Sequence, residues 1–311
     1  MAERITILFL TKRFHNRIEK STEYLIEELE KNVNLIIWEK DGDLEEILAL
    51  IKIKPSFILL NDFKRDYSPL VWNLSKSPCP VGAIFHEVKY KPLRRRQFYE
   101  REQVDHLFVH YKEASIRFIP ELKDRYVWFP HHAPLTVFKD YGEQRTVDIL
   151  MLGAMLKSVY PERVAFYEKL KNEPGFQYSE HPGYKELIMD EPVLCGERYA
   201  RQLAKAKLFI TCDSVEKIPV MKYFESLACK TLLLATGSNE LRELGFVDGE
   251  TFVEIHQDTV LDKVRFYLAN HAERERIIEN GYQLIVNRHS TEKRVADLLR
   301  EIERVIVDTD E

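Results

Sequence analysis

Several things are scarce in this sequence, and each scarcity removes a class of protein. Only four cysteines occur in 311 residues, Cys79, Cys195, Cys212 and Cys229. They are widely spaced and form no C-x-x-C pair, which argues against a zinc site and against a disulfide framework and fits a reducing cytosol. No apolar run approaches the ~18 residues that a membrane-spanning helix needs. There is no excess of basic charge: the formal net charge is −5, which speaks against a dedicated nucleic-acid binder while leaving room for a local basic patch. No short-period repeat, heptad run or low-complexity tract is present, so solenoids and coiled coils are set aside. The N-terminus carries Glu3, and its apolar run stops at Lys12–Arg13, so it reads as a first strand rather than a secretory leader, and a cytoplasmic location is expected.

What remains is an ordinary globular composition, 45% hydrophobic and 31% charged, on a chain long enough for two cores. Short β-rich apolar runs alternate with longer amphipathic stretches. Strands are expected at 5–10, 33–38, 57–60, 80–85, 106–109 and 126–129. Helices are expected over 17–31 and from Asp43, whose carboxylate with Glu46 makes a capping box, to about Lys52. Such alternation implies a mostly parallel sheet, because parallel neighbours need a crossover and a helix usually supplies it. The polar, glycine-containing stretch 138–145 follows a proline-flanked segment and precedes a fresh strand pattern at 147–152, so the domain boundary is placed at 142/143. The second half repeats the alternation, with a helix from Pro161, a strand at 207–211, a helix over 219–229, a strand at 231–235 and helices over 273–287 and 291–307. The expected fold is therefore α/β, two Rossmann-like doubly wound halves, with the terminal helices packing back toward the first.

In open parallel sheets ligands bind beyond the carboxyl ends of the strands, so the loops there are searched first. After the strand ending at Leu152, Gly153 lets backbone approach a ligand, and Lys157, Tyr160 and Arg163 surround the start of a helix, a setting suited to a diphosphate; a plain turn explains the glycine equally well. In the segment 213–236 a strand ends in a polar loop bearing Asp213, Glu216 and Lys217. Pro219 then opens a helix on which Lys222 and Glu225 stand three apart on one face, followed by Ser226. A carboxylate accepts paired hydrogen bonds from a ribose diol and a lysine counters phosphate; a solvated ion pair is the plainer alternative. In the first half, the loop after the first strand carries Arg13 and His15, and His86 ends the strand at 80–85.

The run from Tyr199–Ala200–Arg201–Gln202–Leu203–Ala204 through Phe224–Glu225–Ser226–Leu227–Ala228–Cys229, Asn239–Glu240–Leu241, Tyr267–Leu268–Ala269–Asn270, Arg274, Gly281 and His289–Ser290–Thr291–Glu292–Lys293–Arg294 resembles the C-terminal half of the CgeB/YkvP-like spore-maturation glycosyltransferases. Those in turn resemble the group 1 glycosyltransferases. The likeness spans about residues 147 to 306. It implies a GT-B architecture with two domains facing a cleft, an N-terminal acceptor domain (1–142) and a C-terminal donor domain (143–311). The implied activity is transfer of a hexose from a nucleotide diphosphate sugar, most simply a UDP-sugar, to a hydroxyl acceptor, with no further cofactor. By this resemblance Glu225 holds the ribose, and Lys222 the diphosphate. The pattern departs in two places: Lys217 stands where a first glutamate is usual, eight residues before Glu225, and Lys230 where a glycine is usual. Asp213 and Glu216 are placed to substitute for the missing carboxylate. His86 resembles the histidine that many such enzymes set over the donor sugar, and is assigned the catalytic position; a partly buried structural histidine is the alternative.

Two Asp-x-Asp patterns, Asp41–Gly42–Asp43 and Asp308–Thr309–Asp310, read as a turn before a capped helix and as a disordered terminus rather than as metal sites. A metal-independent reaction is expected, with Lys157, Arg163 and Lys222 countering the charge of the leaving group. His131–His132 reads as a turn. The stretch 89–101, with Arg94, Arg95 and Arg96 among aromatic residues, is either a solvated helix face, a site for an anionic acceptor, or a membrane-surface patch. The acceptor reading is adopted, with Arg13 and His15 beside it. The rival functions are a nucleotide-sugar epimerase and a non-catalytic sugar-nucleotide binding protein.

Overall fold

The computed structural model describes residues 4–183 and 193–310, of which 309 and 310 by backbone alone. It divides into two compact units. The first comprises Met1–His15, Lys20–Pro130 and Arg294–Glu311, the second Asn16–Glu19 and His131–Lys293.

The first unit is built on β1 (Thr6–Leu10), β2 (Asn34–Trp38), β4 (Phe57–Leu60), β6 (Val81–Phe85), β7 (His106–Val109) and β8 (Tyr126–Trp128). All are parallel, in the order β2-β1-β4-β6-β7-β8; a separate parallel pair joins β3 (Gly42–Asp43) to β5 (Val71–Trp72). The register sets Ile7 beside both Leu35 and Phe57. Strands β4 and β6 are buried at every residue, as the continuous runs Phe57–Ile58–Leu59–Leu60 and Val81–Gly82–Ala83–Ile84–Phe85 require of strands covered on both faces. Helix Ser21–Asn32 presents Leu25, Ile26 and Leu29 to this core at helical spacing. The carboxylate of Asp43 caps helix Leu44–Ile51 through the backbone N–H of Glu45.

The second unit holds β9 (Val147–Leu152), β10 (Phe176–Ser179), β11 (Ala206–Ile210), β12 (Leu232–Ala235) and β13 (Val253–Glu254), parallel in the order β10-β9-β11-β12-β13. Gly281 on helix His271–Leu284 lies against the backbone here: a Cβ at this position would stand 2.5 Å from the Thr251 carbonyl oxygen, so any side chain would push the helix off.

The alternation read from the sequence is therefore present in both halves, and the details differ in three places: the unit boundary, the C-terminal residues 308–310 and the start of the helix after Pro219. The unit boundary falls at 130/131 rather than 142/143. The segment after Pro130 looks like a linker by composition, but Phe138 is buried edge-on against Tyr199 and Arg145 donates to the Ala206 carbonyl at 2.8 Å, so it packs with the second sheet. The chain end returns to the first unit, where Val295, Leu298, Ile302 and Val305 of helix Thr291–Asp310 enter the core. That helix runs through Asp310, so Asp308–Thr309–Asp310 is helical rather than disordered. The helix expected from Pro219 begins at Lys222, after a turn in which Lys217 adopts φ 57°.

Candidate active site

In the second sheet, β10 follows β9 on one side and β11 follows on the other, so the chain switches direction between β9 and β11. Ligands of doubly wound sheets bind outside the carboxyl ends at such a point. The two loops that meet this position are those after Leu152 and after Ile210, both singled out from the sequence. Gly153 adopts φ 139°, and a Cβ there would stand 2.8 Å from Nη1 of Arg163, so a glycine is needed to let the guanidinium lie against the loop. Arg163, in the first turn of helix Pro161–Leu170, is 2% exposed. It donates to the Ala154 carbonyl at 3.1 Å and lies 3.9 Å over the ring of Tyr160, while its Nε makes no hydrogen bond, and no carboxylate pairs with it among the described residues. Tyr178 ties the same loop down, its hydroxyl donating to the Gly153 carbonyl at 2.9 Å. A buried guanidinium with a free donor edge is costly unless an anion meets it, and its planar fork suits phosphate.

Asp213, one strand over, is 2% exposed. Its Oδ1 accepts from the Thr236 hydroxyl at 2.8 Å and its backbone N–H donates back to that oxygen at 2.9 Å; Tyr223 fixes Thr236 by donating to its carbonyl. Oδ2 makes no hydrogen bond, and the exposed Lys217 ammonium stands 3.6 Å from it. Burial raises the Asp213 pKa above the ordinary carboxylate value, against the pull of Thr236 and Lys217. Arg163 and Asp213 thus offer a donor edge and an acceptor atom at one sheet edge, a pairing that fits a ligand carrying both phosphate and hydroxyl.

Helix Lys222–Ala228 supplies the third part. Glu225 is 7% exposed, and burial pushes its pKa to about 7, against the opposing influence of Lys222 and Tyr199. Burial likewise lowers the Lys222 pKa, although its ammonium lies 5.9 Å over the Tyr199 ring with Glu225 near. Because the folded pKa of Glu225 lies above its ordinary 4.5, its protonated form contributes stability that is full below that value, declines as pH rises, and is gone above about 7. Glu225→Gln is therefore expected to be more stable than the parent at pH 8, by about 3 kcal/mol on the scale of about 1.4 kcal/mol per pKa unit, with the gap closing by pH 4.5. Melting curves at the two pH values check this; a gap that widens toward acid contradicts it.

Of the residues chosen from sequence, the fold brings together Gly153, Tyr160, Arg163, Asp213 and Lys217, and couples Arg163 electrostatically to Lys222. Lys157 is exposed on the loop, and Glu216 is half-buried with its backbone N–H on the Ser214 hydroxyl. Ser226 is a correction: it is fully buried and its hydroxyl donates to the Tyr223 carbonyl one turn back, an internal helix bond that presents nothing to a ligand. His181 was missed. It follows β10, a strand whose sequence carries little pattern, and burial, reinforced by Lys222 and Arg163, pushes its pKa down to about 4.

The first unit gathers a different set at the carboxyl ends of β4, β6 and β7. His86 is half-buried, with Nε2 2.8 Å from Asn61 Oδ1 and Nδ1 3.1 Å from Nε2 of the buried His110; its ring stacks on Tyr67 at 4.3 Å. Both ring nitrogens are thus engaged within the protein. Arg95 is fully buried, paired with Asp62 at 2.8 Å and lying 4.1 Å over Phe85, so it is part of the core and not of an acceptor surface. The sequence could not show this because the helix Pro92–Arg101 buries its polar Arg95 along with Phe98 and Tyr99. Arg96 pairs with Glu121, leaving Arg94 as the exposed arginine of the three. Arg13 pairs with Glu23 at 3.2 Å, and His15 is exposed, its carbonyl accepting from Lys20. His131 lies edge-on to Phe224, and His132 Nδ1 is 2.8 Å from the Thr291 hydroxyl.

Residues 163–300 match the glycosyl transferase-like family. The match takes in less than half of the chain, so it marks what this segment is similar to. Arg163 begins the matched segment, which also contains Asp213, Lys222 and Glu225. No curated protein sequence matches the chain. Among solved structures, a glycosyltransferase from Rickettsia africae superposes with a TM-score of 0.65 at 10% identity, covering 98% of this chain and 99% of that one. Anabaena HepE, solved in complex with UDP-glucose, gives 0.64 at 8% identity over 96% and 100%. Sucrose-phosphate synthase from Thermosynechococcus elongatus gives 0.67 at 12% identity over 98% and 100%. At these identities the likeness is one of fold, and it establishes the α/β GT-B class with two Rossmann-like domains. Among the described residues no helix is long and apolar enough to cross a membrane.

Proposed function

We propose that the enzyme transfers a hexose from a nucleotide diphosphate sugar, a UDP-sugar in the simplest case, to a hydroxyl-bearing acceptor, with protein cations countering the charge that a metal ion neutralises elsewhere. The observation that carries this reading is the buried Arg163, whose donor edge lies at the switch point of the second sheet beside Gly153. In the proposal Arg163 and Lys222 receive the diphosphate and stabilise it as it leaves, Glu225 accepts from the ribose hydroxyls, and Asp213 Oδ2 accepts from a hydroxyl of the sugar or ribose. HepE with UDP-glucose bound supports the donor class by analogy of fold. The narrower kinship with the CgeB/YkvP-like enzymes and a cytoplasmic location belong to the same proposal; the four unpaired cysteines agree with the latter.

The test is prolonged incubation with UDP-, GDP-, ADP- and dTDP-hexoses, reading free nucleoside diphosphate and the anomer of the released sugar. Slow nucleoside diphosphate release from one donor class is expected. An interconverted sugar still attached to its nucleotide would indicate an epimerase instead. A second reading, sugar-nucleotide binding without turnover, is favoured by one observation: Lys217 approaches Asp213 at the place where the resembled enzymes carry a carboxylate. Binding without release of diphosphate selects it.

The acceptor proposal narrows to Arg94. A single exposed cation facing an anionic acceptor is worth about 1 kcal/mol, so Arg94→Ala is expected to raise the acceptor KM roughly fivefold and leave donor hydrolysis unchanged. An unaltered KM removes this residue from the acceptor site.

A further inference from the structure

We propose that His86 is an imidazolium throughout the neutral pH range, made so by His110, and that it serves the transfer reaction as a fixed positive charge and not as a base that removes a proton. Its role in the reaction rests on the glycosyl-transfer reading above; its charge follows from the hydrogen bonds alone.

Three hydrogen bonds run in series. His110 Nδ1 meets the Phe129 carbonyl at 2.8 Å, His110 Nε2 meets His86 Nδ1 at 3.1 Å, and His86 Nε2 meets Asn61 Oδ1 at 2.8 Å. The first partner is a carbonyl and can only accept, so His110 Nδ1 carries a hydrogen. The orientation of the last is settled by Thr11. Besides Asn61, the Thr11 hydroxyl has two carbonyls in reach, Lys12 at 3.0 Å and Tyr67 at 3.4 Å, to which it can only donate. It must therefore accept from Asn61, whose Nδ2 lies 2.9 Å from it and 3.0 Å from Thr22 Oγ1. The amide oxygen of Asn61 accordingly faces His86, and His86 Nε2 carries a hydrogen as well. Two neutral imidazoles hold two N–H hydrogens between them, and three bonds need three. The series closes only with one added proton on the pair.

The surroundings decide which ring bears it. His110 is enclosed and burial drives its pKa down to about 4, with Arg294 opposing and Asp62 favouring the charge. His86 is half-exposed and lies flat on Tyr67, with ring planes 6° apart, an electron-rich face that suits a cation; Phe14 backs Tyr67 on its other neighbour contact at 5.6 Å. The Asp62 carboxylate accepts the His86 backbone N–H at 2.7 Å. Against the charge stand Arg95, which is paired to Asp62, and Lys64, 6.0 Å over the Tyr67 ring and paired to Glu87 and Asp66. The proton therefore resides on His86, while His110, held in its Nδ1–H form by Phe129, is a positioning residue that accepts from the charged ring. A fixed cation at the carboxyl edge of the first sheet would favour anionic groups that approach it.

The test records long-range nitrogen–proton spectra of the imidazoles of the full-length 15N-labelled chain between pH 5.5 and 9, alongside donor turnover over the same range. His86 is expected to show two protonated nitrogens at pH 7.5 and a midpoint about two units above the ordinary 6.5. Turnover is expected to fall as pH rises through that midpoint, tenfold per unit beyond it. His110→Phe is expected to lower the His86 midpoint by more than one unit, and Asn61→Asp, which sets a carboxylate against Nε2, to raise it; either variant suffices if the other fails to fold. A neutral His86 at pH 7, or a midpoint that neither variant moves, overturns the proposal, as does turnover that falls on acidification through the midpoint. If no nucleotide sugar is turned over, the transferase reading fails, while the spectra still decide the charge.

Discussion

Replacing Arg163 by Met is expected to weaken binding of the nucleotide diphosphate sugar about 100-fold, while leaving the chain folded. Hydrogen bonds to a charged group contribute about 1.5–3 kcal/mol each, and a bidentate guanidinium–phosphate contact makes two, so about 3 kcal/mol is a conservative loss. Folding should tolerate the change for the same reason that binding does not. The Arg163 guanidinium has one hydrogen bond, to the Ala154 carbonyl, and no carboxylate partner among the described residues, so removing it breaks no ion pair and relieves a buried charge. Titration calorimetry with UDP and UDP-hexoses, together with melting curves without ligand, separates the two effects. A variant that binds as the parent does would show that the phosphate lies elsewhere.

Arg95→Met is expected to do the reverse, lowering stability by about 3–5 kcal/mol whatever the ligand. It would strand the Asp62 carboxylate, itself fully buried, with the loss of a 2.8 Å ion pair and of the packing over Phe85. Against the 5–15 kcal/mol that holds a typical domain together, this is a large fraction. The double variant Arg95→Met with Asp62→Asn removes both charges and should recover part of the loss; the asparagine also tolerates the positive φ of 111° that Asp62 adopts. Equal melting points for Arg95→Met and the parent would mean that Arg95 is not the buried residue described above.

The contrast between these two arginines shows where sequence reading succeeds. The βα alternation of both halves is legible because buried parallel strands are continuous apolar runs, as in Val147–Leu152 and Leu232–Ala235. Arg163 is legible because it follows a glycine turn after such a strand. Arg95 is not: in Arg94–Arg95–Arg96 nothing local distinguishes the buried arginine from its neighbours, since its partner, Asp62, is supplied by a loop more than thirty residues away. His110 escaped for a similar reason, being joined to His86 only by the pairing of β6 with β7. His181 follows β10, whose half-buried Phe176–Ser179 lacks a strong apolar signature. The boundary at 130/131 was hidden because Phe138 anchors a segment that by composition is a linker.

The central claim is that the second unit holds a nucleotide diphosphate sugar at Arg163. The most direct measurement is a thermal-shift series on the full-length protein with UDP-, GDP-, ADP- and dTDP-sugars, read in parallel on Arg163→Met. A ligand bound only by the native state raises the melting point by mass action, adding about 2.7 kcal/mol at a hundred times its Kd. A clear rise with one nucleotide class is expected for the parent, and its loss in the variant. No shift with any of the four at millimolar concentration, or an equal shift in parent and variant, would contradict it.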